Sequence, residues 1–178
     1  MPAESIREDT PHLVLGGARS GKSRFAESLV GAYPGPFIYV ATAQILDDEM
    51  RRRVEQHRRR RGDDWKTIEC PLNLVSLLGD LRSEAKPVLV DCLTLWMSNL
   101  LHRESITSPE SIVQSLGDEL RRATYPVVLV SNEVGCGIVP ENALARRFRD
   151  LAGFANQTVA QASRRVTFVA AGLPLRLK

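Results

Sequence analysis

Five short and continuously apolar segments constrain the fold of this chain more than any other feature. They are residues 12–16, 37–42, 88–92, 127–131 and 166–170. None of them alternates apolar and polar side chains, as a strand with one wet face does, so each is predicted to be a strand buried on both faces. Such strands occur in parallel sheets that are covered by helices on both sides.

Helical patterns fill the intervals between these segments. We predict helices over residues 22–30, 47–61, 72–82, 93–102, 109–123 and 142–162. The alternation of strand and helix predicts an α/β fold, a mostly parallel sheet with helices on both faces. No linker-like stretch divides the chain, so we expect a single domain over residues 12–178, after a loose N-terminal extension over residues 1–11.

A glycine-rich segment joins the first predicted strand to the first predicted helix. Its sequence, GGARSGKS, matches the pattern G-x-x-x-x-G-K-[ST] in full. Glycines let main-chain N–H groups approach phosphate oxygens, and the helix start adds the positive end of its dipole. This predicts a P-loop NTPase fold of the RecA-like type; a glycine-rich turn without a ligand is the alternative. The predicted nucleotide-binding residues are Gly16, Gly17, Ala18, Arg19, Ser20, Gly21, Lys22 and Ser23.

Acidic residues lie in or just after two of the other predicted strands, where a phosphate-bound metal ion would be held. Lys22 is expected to reach the β- and γ-phosphates, and the Ser23 hydroxyl to ligate Mg²⁺. Asp91, at the end of the third apolar segment, is the expected acidic ligand, and Glu133, after the fourth, is a further candidate. A structural role, helix capping in the case of Asp91, is the alternative for either acid.

The predicted helix over residues 47–61 combines one apolar face with many cations. Leu46, Met50, Val54 and His57 recur at helical spacing, and arginine runs occupy the other faces. These cations disfavour protonation of His57, and a neutral imidazole beside a triphosphate is a potential nucleophile toward phosphorus. A structural histidine is the alternative, and the arginines are open to interpretation as a solvated face or a nucleic-acid patch.

Charge and composition narrow the remaining function classes. The net charge of +3 suits phosphate-rich ligands without requiring nucleic acid, and base-stacking aromatics are scarce near the arginines. Cys70, Cys92 and Cys136 have no CxxC spacing, so we expect reduced thiols in a cytoplasmic protein. No apolar run is long enough to cross a bilayer. We therefore expect neither a nucleic-acid partner nor a membrane span.

Four longer segments carry a resemblance to a known family. They are GGARSGKSRFAE, ATAQILDDEM, VDCLTLWMSNLL and SNEVGCGIVPENALARRFRDLAGFANQ, which begin at Gly16, Ala41, Val90 and Ser131. Together they resemble the bifunctional cobinamide kinase/cobinamide-phosphate guanylyltransferase of adenosylcobalamin biosynthesis. The resemblance covers nearly the whole chain after the N-terminal extension.

The resemblance implies two successive reactions. ATP or GTP phosphorylates adenosylcobinamide, and GTP then donates GMP to that phosphate, which gives adenosylcobinamide-GDP and pyrophosphate. In the family the GMP passes through a covalent histidine intermediate, and the motif places that histidine at His57, so that His57 and Lys22 are the catalytic residues. The resemblance also implies a homo-oligomer, and we expect a trimer. The nucleotide contacts it implies beyond the glycine-rich segment are Thr42, Ala43, Gln44, Arg58, Arg59, Arg60, Arg61, Glu69 and Asp91.

Some features of the sequence depart from the family or stay open. Gln56 precedes His57 where some members carry paired histidines, and Asp91 stands where some have glutamate. The segment 132–157 is open to corrinoid binding, subunit contact or simple packing. Two other functions also remain open, a metabolite kinase without a covalent histidine and a nucleic-acid-dependent ATPase.

Overall fold

A computed structural model of the protein describes residues 9–44 and 62–178. Its strands are β1 (His12–Gly16), β2 (Phe37–Ala41), β3 (Trp65–Glu69), β4 (Val88–Asp91), β5 (Val127–Asn132), β6 (Arg165–Ala170) and β7 (Leu173–Arg176). Its helices are α1 (Lys22–Val30), α2 (Leu74–Asp80), α3 (Leu93–Leu101), α4 (Pro109–Arg121) and α5 (Ala143–Ala162), with a 3₁₀ turn at Leu81–Ser83. The helix predicted over residues 47–61 lies outside the described residues.

The strands form one sheet in the order β3-β2-β4-β5-β1-β6-β7. All neighbours are parallel except β6 and β7, which are antiparallel. β5 lies between β1, which leads into the glycine-rich segment, and β4, which ends in Asp91. One strand between these two is the arrangement of RecA-like P-loop proteins, so the predicted fold class is confirmed.

Helices cover both faces of the sheet, which explains the continuous apolar runs. On one face, Ala26 and Val30 of α1 pack against Val14 and Val128 of the sheet. On the other face, helices α2 to α5 pack against the opposite side chains of the same strands in a larger cluster. A fully buried leucine or valine contributes about 1.5–3 kcal/mol, so burial on both sides, rather than helix propensity, holds these layers together.

Two strands that the apolar pattern did not predict, β3 and β7, lie at the edges of the sheet. β3 exposes Lys66, Thr67 and Glu69, and all four residues of β7 are exposed. An edge strand has no need of a continuous apolar run because solvent covers part of it. The apolar pattern therefore missed β3 and β7 because much of each strand is exposed to solvent.

The five other predicted helices are present with small shifts at their ends. The helix predicted from residue 72 begins at Leu74 and gives way to a 3₁₀ turn, and α4 ends at Arg121 rather than residue 123. Asn142 precedes α5 and caps it, since its side chain accepts a hydrogen bond from the Ala145 N–H at 3.0 Å. No helix in the described part of the chain is long and apolar enough to span a membrane.

The described end of the predicted N-terminal extension contacts the domain. The Pro11 carbonyl accepts a hydrogen bond from the Arg164 N–H at 2.8 Å, and the Arg165 side chain pairs with Asp9. Residues 1–8 lie outside the described residues, so the boundary between extension and domain stays a prediction.

Candidate nucleotide-binding site

The glycine-rich segment links the carboxyl end of β1 to the start of α1. Gly21, just before the helix, has a φ of 94°, in the left-handed region that glycine adopts without strain. The first turn of a helix has N–H groups without helical acceptors, so Lys22 and Ser23 present theirs toward an anion together with the positive end of the dipole. The segment thus has the local geometry of a phosphate cradle.

Donors from other parts of the chain bind the carbonyls of this segment. The Gly16 carbonyl accepts from the Glu133 N–H at 3.2 Å, and the Ser20 carbonyl from the Gly172 N–H at 2.8 Å. The Ser20 hydroxyl, by contrast, is buried and has no hydrogen-bond partner among the described residues. Because an unpaired buried hydroxyl is costly, this atom indicates a place for a ligand oxygen.

Lys22 extends back over the segment that it follows. Its Nζ donates to the Gly17 carbonyl at 3.1 Å, and the residue is only 9% exposed. Burial lowers the pKa of its ammonium group from the ordinary 10.5, while the neighbouring Cys92 and Asp91 side chains oppose that shift. A cation shielded from water in this way interacts more strongly with a phosphate than one on the surface.

Asp91 ends β4 near the Lys22 ammonium, whose pKa it affects. The Tyr39 hydroxyl donates to its Oδ2 at 3.0 Å, which orients the carboxylate. Ser23, in the first turn of α1, adds a hydroxyl oxygen. No group of three or more acidic, histidine or cysteine side chains that could hold a metal ion occurs within residues 9–44 and 62–178. The Ser23 hydroxyl and the Asp91 carboxylate are oxygen donors of the kind that fits Mg²⁺, which takes one or two protein oxygens and completes its shell with phosphates and water.

Glu133, the further metal candidate, lies beside the same segment. Its N–H binds Gly16, as above, and its Oε1 accepts from the Gly135 N–H at 2.6 Å. The carboxylate therefore stabilises the turn that follows β5. Glu133 thus bonds to Gly135 through its carboxylate and lies next to the glycine-rich segment through its N–H.

The predicted contacts from β2 and β3 lie at the carboxyl edge of the sheet. Thr42 is fully buried, and its hydroxyl donates to the Cys92 carbonyl at 2.7 Å and accepts from the Cys92 N–H at 2.8 Å. Ala43 is half-buried, and Gln44 is exposed. Glu69 is exposed and ends β3 at the same level. The Thr42 side chain is thus used within the fold, whereas Gln44 and Glu69 face solvent at the edge where Asp91 lies.

The predicted nucleophile and its arginines belong to the stretch of sequence between β2 and β3. His57, Arg58, Arg59, Arg60 and Arg61 lie outside the described residues. The flanking residues are described: Gln44 follows the carboxyl end of β2, and Gly62 accepts from the Trp65 N–H before the amino end of β3. Gln44, the last described residue before this stretch, lies at the same edge of the sheet as the phosphate cradle.

A buried polar network behind the site was not predicted. The Asn132 N–H donates to Thr94 Oγ1 at 2.7 Å, and its side chain donates to Cys92 Sγ at 3.7 Å. Asn156, from α5, donates to the Asn132 carbonyl at 3.2 Å. These bonds tie α3 and α5 to the ends of β4 and β5, which gives part of the segment 132–157 a packing role. The only sequence signal was an uncharged polar residue on the apolar face of a helix.

Comparison with known proteins decides the family. The family model described as "Cobinamide kinase / cobinamide phosphate guanyltransferase" matches residues 12–177. The chain belongs to this family. The resemblance noted in the sequence is thereby confirmed, and with it the prediction of a bifunctional enzyme.

Named relatives agree with this membership. The chain is 45% identical to the bifunctional adenosylcobalamin biosynthesis protein CobP of Pseudomonas aeruginosa, over 93% of this chain and 96% of the relative. It is 42% identical to the bifunctional adenosylcobalamin biosynthesis protein CobU of Salmonella typhimurium, over 93% of this chain and 98% of the relative. A solved Pyrococcus horikoshii protein, PH0250, superimposes with a TM-score of 0.56 at 9% identity, over 100% of this chain and 92% of that one, and is similar in fold alone.

Proposed function

We propose that this protein phosphorylates adenosylcobinamide with ATP or GTP and then transfers GMP from GTP to adenosylcobinamide phosphate. The products of the second reaction are adenosylcobinamide-GDP and pyrophosphate. The observation that carries the proposal is a phosphate cradle, residues 16–23, in a chain that matches the cobinamide kinase and guanyltransferase family almost throughout. The relatives' names assign them to adenosylcobalamin biosynthesis, which supports the corrinoid substrate.

In the kinase step, the chain's own groups bind and orient the triphosphate. Lys22, whose Nζ lies 3.1 Å from the Gly17 carbonyl within the cradle, exchanges that carbonyl for a phosphate oxygen. The N–H groups at the start of α1 and the Ser20 hydroxyl take further oxygens. Ser23 and Asp91, with Glu133 as a further candidate, would hold Mg²⁺. The metal ion would neutralise charge on the phosphates.

In the transferase step, the His57 imidazole attacks the α-phosphorus of GTP. A nitrogen–phosphorus bond forms, and the bond to pyrophosphate breaks. The phosphate of the acceptor then attacks the same phosphorus and releases the imidazole. Support comes from the position of Gln44, which leads into this stretch from the edge that carries the cradle. The further nucleotide contacts we propose are Thr42, Ala43, Gln44, Arg58, Arg59, Arg60, Arg61, Glu69 and Asp91.

The covalent step is tested by mass spectrometry after incubation with GTP and Mg²⁺. We expect a GMP adduct on the peptide that contains His57. His57→Ala should lose the adduct and guanylyl transfer by several orders of magnitude, as removal of a nucleophile does, yet keep kinase activity. His102→Ala, which alters an exposed histidine at the end of α3, is the matched control and should keep the adduct. Normal transfer by His57→Ala would contradict the covalent route through His57, whereas a wild-type chain with kinase activity but no adduct would favour a simple kinase.

We further propose a cytoplasmic homo-oligomer, with a trimer as the expected form. Ile138 is 96% exposed and Leu173 is 72% exposed, and large apolar side chains in water often mark a subunit contact. The three cysteines are free thiols, which fits a reducing compartment. Light scattering after size exclusion measures the assembly, and a monomeric mass would contradict it.

A further inference from the structure

The turn between β6 and β7 lies against the outer side of the phosphate cradle. It consists of Ala171 and Gly172, whose φ angles are 51° and 80°. Positive φ at both central residues is what a two-residue hairpin of type I′ requires. The Gly172 N–H points out of this turn and donates to the Ser20 carbonyl at 2.8 Å. A hairpin at the edge of the sheet thus holds the middle of the cradle.

The contact follows from the geometry of an anion-binding loop. When successive N–H groups converge on an anion, the carbonyls between them point outward and need donors from elsewhere. Ser20 is only 7% exposed, so its carbonyl would be costly to leave unpaired. Gly172 supplies the donor.

The main chain of the cradle lies in close contact with that of β6 and its turn. A Cβ on Gly21 would lie 3.3 Å from the Gly172 Cα, and a Cβ on Gly16 would lie 2.5 Å from the Val169 carbonyl oxygen. The cradle therefore contacts β6 at Gly16 and the β6–β7 turn at Gly21. β7 itself is exposed along its whole length, so the hairpin adds little burial to the core.

We propose that the β6–β7 turn positions the cradle, and that Gly172 is a positioning residue for nucleotide binding in both reactions. Gly172 acts through Ser20 rather than by touching the nucleotide. The proposal rests on the proposed function only in requiring that residues 16–23 bind ATP or GTP.

Gly172→Ala tests this role. Alanine is strained at a φ of 80°, and a Cβ there would meet no other atom within 4 Å, so the change acts through the turn's conformation alone. The turn should shift and weaken the bond to Ser20. We expect the dissociation constants for ATP and GTP to rise about tenfold, and the nucleotide KM to rise more than kcat falls. Gly172→Asn keeps the N–H and tolerates the left-handed region, so it should restore affinity to within about threefold of wild type.

A strained residue far from the cradle gives the matched control. Ala85 has a φ of 53° and precedes β4 at the amino side of the sheet, opposite the cradle. Ala85→Val should lower the melting temperature as Gly172→Ala does, but leave nucleotide affinity unchanged. In the wild-type chain, ATP should slow hydrogen exchange of the Gly172 amide, a readout that does not depend on any variant folding.

The outcomes separate this proposal from the proposed function. Unchanged ATP and GTP affinity in Gly172→Ala, or an equal loss in Ala85→Val, would overturn the positioning role alone. Unchanged exchange at Gly172 on ATP binding would do the same. A wild-type chain that bound neither nucleotide would overturn the proposed function and this proposal together.

Discussion

Gly16 is the residue where one added methyl group should be most damaging. It ends β1 and pairs with Val169 of the parallel strand β6. A Cβ there would lie 2.5 Å from the Val169 carbonyl oxygen and 2.6 Å from Ser20 Oγ. An unstrained contact between a carbon and an oxygen atom has a distance of about 3.3 Å or more. The Ser20 hydroxyl can rotate away, but the Val169 oxygen belongs to the main chain of a paired strand and cannot.

The expected cost of Gly16→Ala follows from that difference. Overpacking a rigid site costs about 1–3 kcal/mol, and an obstacle in the main chain puts this site at about 3 kcal/mol. Separation of β1 from β6 would also displace the start of the cradle, so ATP and GTP should bind at least about tenfold more weakly. The assay is urea unfolding of the nucleotide-free protein, followed by circular dichroism, together with nucleotide titration.

Gly17→Ala provides the control because it makes the same chemical change one residue later. A Cβ on Gly17 would meet nothing within 4 Å, so its free energy of unfolding should stay within about 0.5 kcal/mol of wild type. Equal unfolding free energies for Gly16→Ala and wild type would refute the reasoning. So would an equal loss in the two variants, since only one of them meets the Val169 oxygen.

Two further predictions concern buried polar groups. Burial, the largest effect, lowers the pKa of His12 to about 4 in the folded chain. As the pH falls below 6.5, the unfolded chain therefore binds a proton at this residue before the folded chain does. The stability that neutral His12 contributes above pH 6.5 is lost as the pH falls toward 4. The lowered pKa corresponds to about 3 kcal/mol, and His12→Gln should show a correspondingly smaller loss between pH 7.5 and 4.5 in urea titrations; identical losses would contradict it. Thr42→Val leaves the Cys92 N–H unpaired, although the Cys92 carbonyl keeps its bond from the Trp96 N–H, and should cost about 2 kcal/mol, whereas Thr42→Ser keeps the hydroxyl and should cost about 1 kcal/mol. Equal costs in the two Thr42 variants would show that the hydroxyl is not what stabilises this junction.

The strands that could be predicted from the sequence are those that the fold buries on both sides. Val14 and Leu13 point to opposite faces of β1 and both are fully buried. Burial on both faces therefore explains why the apolar residues of this strand are consecutive. All four residues of β7, with the sequence LPLR, are exposed, and its proline and arginine interrupt the apolar run by which a buried strand is recognised. The signal that was present is Gly172, a glycine in a two-residue gap between apolar runs, which is a hairpin pattern.

The site divides in a similar way between local and distant contacts. The glycine-rich segment was predictable because its function depends on consecutive residues. The bonds that complete it join residues far apart in sequence, such as Tyr39 with Asp91, and Ser20 with Gly172. Such pairs depend on strand order, which the sequence pattern leaves open, because many orders of the same strands are compatible with the same apolar runs.

The contacts around the cradle also predict how it responds to a nucleotide. Main-chain donors from Glu133 and Gly172 bind the carbonyls of Gly16 and Ser20, and nothing in phosphate binding requires these bonds to break. The Lys22 bond to Gly17 is different, because the ammonium group is needed by the phosphates. Binding should therefore rearrange one flexible side chain on a main-chain frame that is already formed. Since little reorganisation is needed, most of the interaction energy with the triphosphate remains available for affinity and for catalysis.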